Sequence, residues 1–273
     1  MLIATVNVNG VRAAVRRGMD AWLTGRAPDV LLLQEVRAPT ALLHEHLPGW
    51  HVVHAESAAA GRAGVAIASR LPMRAVRIGL GVDDAAHSGR WVEADLELPG
   101  ESGPLTAVST YAHSGTVGHP SMDAKHAFFA LVTDRLQVLG SGGGQVVLGG
   151  DLNVAHTDRD LKNWKGNVGK AGCLPAERAW ISRWLDDGWV DVARSLAGDV
   201  PGPYTWWSWR GKAFDNDAGW RIDYQLASPA LAARARWALM PFLTILLASV
   251  GCSSNQSASF SLVAFCTSDL ISG

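Results

Sequence analysis

"QVVLGGDLN", residues 145–153, runs three apolar residues into two glycines, then an acid, a leucine and an amide. An apolar run of this length without polar alternation reads as a strand covered on both faces. "VLLLQEV", residues 30–36, repeats the pattern and ends in Gln34 and Glu35. A carboxylate at the mouth of a buried strand is costly unless something pairs with it. Two such strands therefore indicate both a layered sheet architecture and a polar centre at its strand ends.

Further strand-like runs surround these two: LIATVNV (2–8), GVAIAS (64–69), WVEADLEL (91–98) and LTAVSTY (105–111). WVEADLEL alternates, which predicts one solvent-exposed face. SMDAKHAFFALVTDRLQVL (121–139) has helical spacing at Phe128, Phe129, Val132 and Leu136, with Ser121 as N-cap. LPAERAWISRWLDDG (174–188) places Pro175 at a helix start and Gly188 at its stop. Strands follow one another before a helix intervenes, so the predicted fold is α/β: a two-sheet β-sandwich with mixed sheets, flanked by helices.

Composition limits the alternatives. The chain has 273 residues, is 48% hydrophobic and 18% charged, and carries a net charge of −1. That is globular, with no basic excess to announce nucleic acid, although a carboxylate-rich site would offset a basic rim. Cys173, Cys252 and Cys266 lack metal-type spacing and predict no disulfide framework. With no export signal at the N-terminus, the expected location is cytoplasmic.

Polar residues gather at the strand ends. In VNVNG (6–10), Asn7 alternates with valines and so faces a sheet-end cavity, whereas Asn9-Gly10 also reads as a plain turn. Glu35 closes the second strand. Asp151 and Asn153 follow glycines that let the backbone bend, and their i, i+2 spacing points both one way if strand geometry persists. Asp223 lies in the apolar strand of GWRIDYQLAS (219–228), where a buried aspartate demands a partner. Carboxylates and amides without a Cys/His cluster suit Mg²⁺ or Mn²⁺. The chemistry they support is metal-assisted attack of water on a phosphodiester.

These motifs, with GRAGVAI (61–67), GGDLNVAHTDRDLKNWKGN (149–167), GWVDVAR (188–194) and YTWWSW (204–209), resemble the exonuclease III family of abasic-site DNA endonucleases. That family lies within the endonuclease/exonuclease/phosphatase superfamily. The likeness covers residues 1–239 and implies a Mg²⁺-dependent nuclease, cutting 5′ to abasic sites or degrading 3′ ends of double-stranded DNA, with activity impaired by loss of the family's histidine. The alternatives are a catalytically inactive DNA-binding remnant and, less favoured, a superfamily phosphatase acting on small phosphoesters. It further implies a monomer with no obligate protein partner and no membrane association. Glu35 becomes the main metal ligand, supported by Asn7. Asp151 orients or deprotonates water, Asn153 donates to the phosphate, and Tyr111 contacts the phosphate or leaving oxygen. Trp206 or Trp207 lines the pocket for a flipped-out abasic sugar. Lys162 and Lys165 follow the DNA backbone, although on residues alone a solvated charged loop serves equally. Two departures stand out. AHSGTVGHP (112–120) lacks the Pro-Gln-Gly type of turn. The family's terminal Ser-Asp-His strand is also absent, leaving Asp223 without the imidazole it would orient.

Residues 240–273 contain one charged side chain, Asp269, no histidine and eight serines. The boundary at 239/240 therefore separates an incomplete nuclease domain from an unrelated hydrophobic, Ser-rich tail. Its LLASVGC resembles a lipoprotein leader in the wrong place, and Ser268-Asp269 is followed by leucine. The missing strand leaves a sheet position that is either empty or taken by FSLVAF (260–265) in no fixed register.

Overall fold

The computed structural model describes residues 1–82, 84–239 and 259–265. Two six-stranded sheets face each other. In chain order the strands are β1 (Leu2–Asn7), β2 (Val30–Gln34), β3 (His51–Ala55), β4 (Val65–Ser69), β5 (Met73–Ile78), β6 (Trp91–Leu96) and β7 (Leu105–Tyr111). They continue as β8 (Gln145–Asp151), β9 (Val190–Asp191), β10 (Trp206–Trp207), β11 (Gly219–Trp220), β12 (Asp223–Ala227), β13 (Ala235–Leu239) and β14 (Ser259–Phe265). One sheet has the order β13-β14-β1-β2-β4-β3 and the other β5-β6-β7-β8-β12-β9. Both are mixed, as the hairpin-rich sequence predicts: β1 runs parallel to β2 and β7 parallel to β8.

The period-2 geometry of a strand divides the apolar runs between layers. Val30 and Leu32 join Val147 and Ala107 in the core between the sheets. Leu31 and Leu33 face the other way, packing with Val11, Met19 and Leu43 of helices α1 (Val11–Arg16), α2 (Met19–Arg26) and α3 (Thr40–His46) respectively. On the opposite outer face, Val146 and Leu148 meet Phe128, Phe129 and Val132 of α4 (Pro120–Ser141) and Trp184 of α5 (Pro175–Asp186). The sandwich flanked by helices is thus the observed fold.

Four local expectations change. The N-cap of α4 is His119, whose ring accepts from the Ser121 amide, because Pro120 takes the first helical position. WVEADLEL has no broad solvent face: Glu93 is 2% exposed, and Arg77 and Arg135 cover it from β5 and α4. Gly149 and Gly150 are not a bend but sites of close approach within β8. A Cβ on Gly149 would lie 2.5 Å from Leu32 Cδ1 in the facing sheet, and one on Gly150 would strike the Thr110 carbonyl. The slot beside β1 is filled: β14 lies between β13 and β1, antiparallel to both, with Asn7 opposite Ser259 and Leu2 opposite Ala264. The leader-like LLASVGC and Ser268-Asp269 lie outside the described residues.

Candidate active site

The C-terminal ends of β1, β2, β7 and β8 lie at one rim of the sandwich, where parallel pairing within each sheet aligns them. Polar side chains join the two sheets just beneath that rim. Gln34 Nε2 donates to Ser109 Oγ at 3.1 Å, Ser109 Oγ donates to Leu33 O at 2.9 Å, and Thr5 Oγ1 donates to Gln34 Oε1 at 3.2 Å. All three side chains are fully buried, so the hydrogen bonds fix the spacing of the sheets where the acids emerge.

Above them, Asn7 Nδ2 donates to Glu35 Oε1 at 2.8 Å and to Asp151 Oδ2 at 2.9 Å. One amide therefore holds two carboxylates from opposite sheets. Arg37 pairs with the other Glu35 oxygen. Asp151 Oδ1 accepts from the backbone amide of Asn153 at 2.9 Å. Burial, followed by the nearby Glu35 charge, pushes the Asp151 carboxyl up to about 7, against the pull of the Asn7 and Asn153 donors. Tyr111 donates to Glu35, and burial with the two acid charges raises its phenol well above the ordinary range. Arg90 lies over the Tyr111 ring, 5.0 Å from its centroid, and donates to the Tyr111 carbonyl at 3.1 Å.

Backbone strain concentrates here. Asn9, Glu35 and Asn153 have φ of 45°, 52° and 53°, in the left-handed region that non-glycine residues seldom adopt. Asn153 thus reaches the site through a turn past the end of β8, not through continued strand alternation. Its Nδ2 donates to Ala112 O at 3.0 Å, which leaves the second amide hydrogen for a ligand.

The rim opens into a pocket of about 450 Å³ lined by Asn7, Glu35, Tyr111, Asp151, Asn153 and Trp206, among others. Asn9 lines it as well, in addition to making its turn. Trp206 is in the wall; Trp207 is not. The two-stranded β10–β11 ribbon sets Trp206 against Trp220, edge to face, with centroids 6.3 Å apart. Successive strand residues point oppositely, so Trp207 turns outward to Phe214 and Asp217. Asp223 is fully buried and directly opposite Asp151 across the β8–β12 ladder, behind the pocket lining. Lys162 and Lys165 are exposed on the loop beside β11 and do not line the pocket.

Trp220 and Lys170 line the pocket without having been singled out by sequence. Trp220 belongs to the GWRIDY motif, but its partnership with Trp206 depends on a ribbon whose strands have only two residues each. No histidine lines the pocket among the described residues. His113 packs on His87 and Phe128 with its ring nitrogen 2.9 Å from Ala86 O, and His156 Nε2 lies 2.8 Å from Ser182 Oγ.

The described residues contain no group of three or more His, Cys, Asp or Glu side chains converging as a metal cage. The oxygens that meet at the rim are those of the Glu35 and Asp151 carboxylates; the Asn7 side-chain carbonyl accepts from the Asn9 amide at 3.0 Å. Two neighbouring acids with an open pocket above fit a hard divalent cation that completes its shell with water and phosphate.

Fold and site together define a hydrolase of phosphate esters built on a two-sheet sandwich. The chain belongs to the Endonuclease/Exonuclease/phosphatase family, whose sequence profile matches residues 4–269, within its exodeoxyribonuclease III and AP endonuclease branch. Nucleases of this family are metal-dependent. The chain is 32% identical over 233 residues to an exodeoxyribonuclease of Bacillus subtilis, covering 85% of this chain and 89% of that one. It is 33% identical to the DNA repair nuclease APEX1 of Danio rerio over 237 residues, covering 85% of this chain and 74% of that one. Among solved structures, it superposes with a TM-score of 0.83 at 28% identity on NExo, a 3′ phosphatase from Neisseria bound to product DNA hairpin. That match covers 98% of this chain and 100% of the other.

Proposed function

We propose that this chain hydrolyses DNA phosphodiesters with Mg²⁺, 5′ to abasic sites or at 3′ ends, at a rate lowered by the absence of the family's histidine. The observation that carries the reading is the Asn7-bridged pair of Glu35 and Asp151, facing a pocket walled by Trp206 and Trp220. Glu35 would hold the cation, with Asn7 supporting it through its amide and Asp151 beside them. When bound, Mg²⁺ supplies charge stabilisation to the phosphate oxygens. Asp151 accepts a proton from the attacking water, held in place by the Asn7 and Asn153 donors. The Asn153 amide donates to the phosphate oxygen that gains charge. Tyr111, kept protonated by its surroundings, exchanges its hydrogen bond to Glu35 for one donated to the phosphate or leaving oxygen when substrate binds. Trp206 and Trp220 leave room for a sugar without its base. Lys162 and Lys165 contribute affinity along the backbone without sequence preference.

The pocket wall contains no imidazole among the described residues, which also favours a second reading: a DNA-binding chain without turnover. Incision of an abasic duplex in MgCl₂, beside undamaged duplex with recessed 3′ ends, separates the two. Cleavage that Asp151→Ala abolishes supports the enzyme. Duplex binding with no cleavage above the Asp151→Ala background supports the remnant. Loss of a charge-stabilising group sets the expected deficit at about 10²- to 10³-fold relative to a histidine-bearing relative.

A further inference from the structure

A single buried ammonium stands behind the pocket wall. Lys125 of α4 has no exposed surface, and its Nζ lies 2.5 Å from Glu177 Oε1 of α5. The same Nζ donates to Asn153 O at 2.9 Å and to Ser114 O at 3.2 Å. An ammonium has three hydrogens, and all three are placed. Glu177 is equally buried, and its other oxygen accepts from the amides of Gly172 at 2.7 Å and Leu174 at 3.1 Å. Ser114, Asn153 and Gly172 all line the pocket. Three wall segments, distant in sequence, thus end on one ion pair.

The packing around the pair is equally restrictive. A Cβ on Gly115 would lie 2.8 Å from Met122 Cε and 3.3 Å from Lys125 Cδ, so the loop rests directly on the lysine stem. A Cβ on Gly172, which has φ of +87°, would lie 3.1 Å from Asn153 O. Stability alone does not call for charges here, because apolar side chains of similar volume generally hold such a position as well or better. An apolar pair could not fix two carbonyls and two amides at once.

We propose that Lys125 and Glu177 are positioning residues of the active site, setting Asn153 and the 170–172 wall in register with Asp151. Neither touches substrate, and both act through the backbone they hold. The kinetic part of this proposal rests on the nuclease reading; the structural part does not.

The test compares Lys125→Met, Lys125→Arg and Glu177→Gln in the full chain. Hydrogen exchange followed by mass spectrometry reads the wall, and incision of abasic duplex in MgCl₂ reads turnover. In Lys125→Met and Glu177→Gln, exchange should rise in peptides covering 112–118, 151–156 and 170–175, with 65–69 unchanged. Turnover should fall about 10- to 100-fold with KM within about twofold, the scale of a small misplacement of reacting groups. Lys125→Arg, which keeps the charge, should recover part of both. Exchange rising evenly along the chain, or full turnover in a merely less stable protein, overturns the proposal. If Lys125→Met does not fold, the near-isosteric Glu177→Gln carries the same test. Local exchange in a chain whose wild type cuts no DNA supports the positioning role while removing the nuclease reading.

Discussion

Asn7 and Asp151 belong to opposite sheets and are joined by a hydrogen bond of 2.9 Å. The same Asn7 nitrogen reaches Glu35 at 2.8 Å, so one side chain sets the distance between the proposed base and the proposed metal ligand. Asn7→Ala should weaken Mg²⁺ affinity by about 10- to 100-fold, the usual effect of removing a group that orients a ligand. Asp151→Asn retains the shape and loses the base, so turnover should fall on the order of 10²- to 10⁴-fold with DNA binding retained. Magnesium titrations of turnover measure the first effect, and single-turnover incision the second. Equal Mg²⁺ affinity in Asn7→Ala and wild type would count against the bridge.

The two adjacent tryptophans of YTWWSW should separate cleanly. Trp206 faces the pocket against Trp220, whereas Trp207 packs on Phe214 and lies 3.3 Å from Asp217 Oδ1 through its indole nitrogen. Trp206→Ala should reduce the preference for abasic over intact duplex, read as the ratio of kcat/KM values. Trp207→Ala should lower the melting temperature and leave that ratio unchanged. The reverse pattern would show that the wall has been assigned to the wrong residue.

Lys162 and Lys165 are exposed beside the β10–β11 ribbon; the Lys162 amide donates to Gly219 O at 3.1 Å. If their ammonium groups meet phosphates, replacing either with alanine weakens binding to all duplexes alike. The slope of log affinity against log salt should drop by about one per lysine. Fluorescence anisotropy between 50 and 200 mM KCl, on the order of the range where counterion release dominates, measures it. An unchanged slope would mark the loop as a solvated surface.

Asp160 contributes to acid stability through its pairing with Arg221 and Arg194. It is fully buried; burial alone would raise its carboxyl, but Arg221 and Arg194 hold it down at about 2. An acid depressed in the folded state stabilises above its unfolded value near 4, and that contribution disappears as pH falls through about 2. The contribution at neutral pH is about 2 kcal/mol. Melting temperatures between pH 6 and pH 2 should show a loss across the lower half of that range. Asp160→Asn should begin lower and be flatter across the same step. Parallel curves for the two proteins would exclude Asp160 as the source.

Sequence patterning was sufficient for the layers, and patterning with the family resemblance named most of the polar residues that the structure brings to one pocket. The unbroken apolar runs at 30–33 and 146–148 lie in the central buried strands, and the acids that follow them are bridged by Asn7. What could not be read depended on tertiary cover. Glu93 looked solvent-facing because alternation does not announce an arginine arriving from a neighbouring strand. Gly149 and Gly150 read as a bend because close approach between sheets leaves no local mark. Lys125 did leave one: it sits three and four residues before Phe128 and Phe129, on the apolar stripe of α4, where a charge needs a buried partner.

The placement of β14 bears on how the chain is made. β1 has the distant Ser259–Phe265 as its antiparallel neighbour, and among the described residues β13 pairs with that strand alone. Pairing partners so far apart in sequence raise contact order and slow folding. The sheet carrying Asn7 must therefore keep a gap open until residues 259–265 have been made. Until then β1, which carries Asn7, has an unpaired edge, and a nascent chain arrested near residue 239 exposes that edge to other chains.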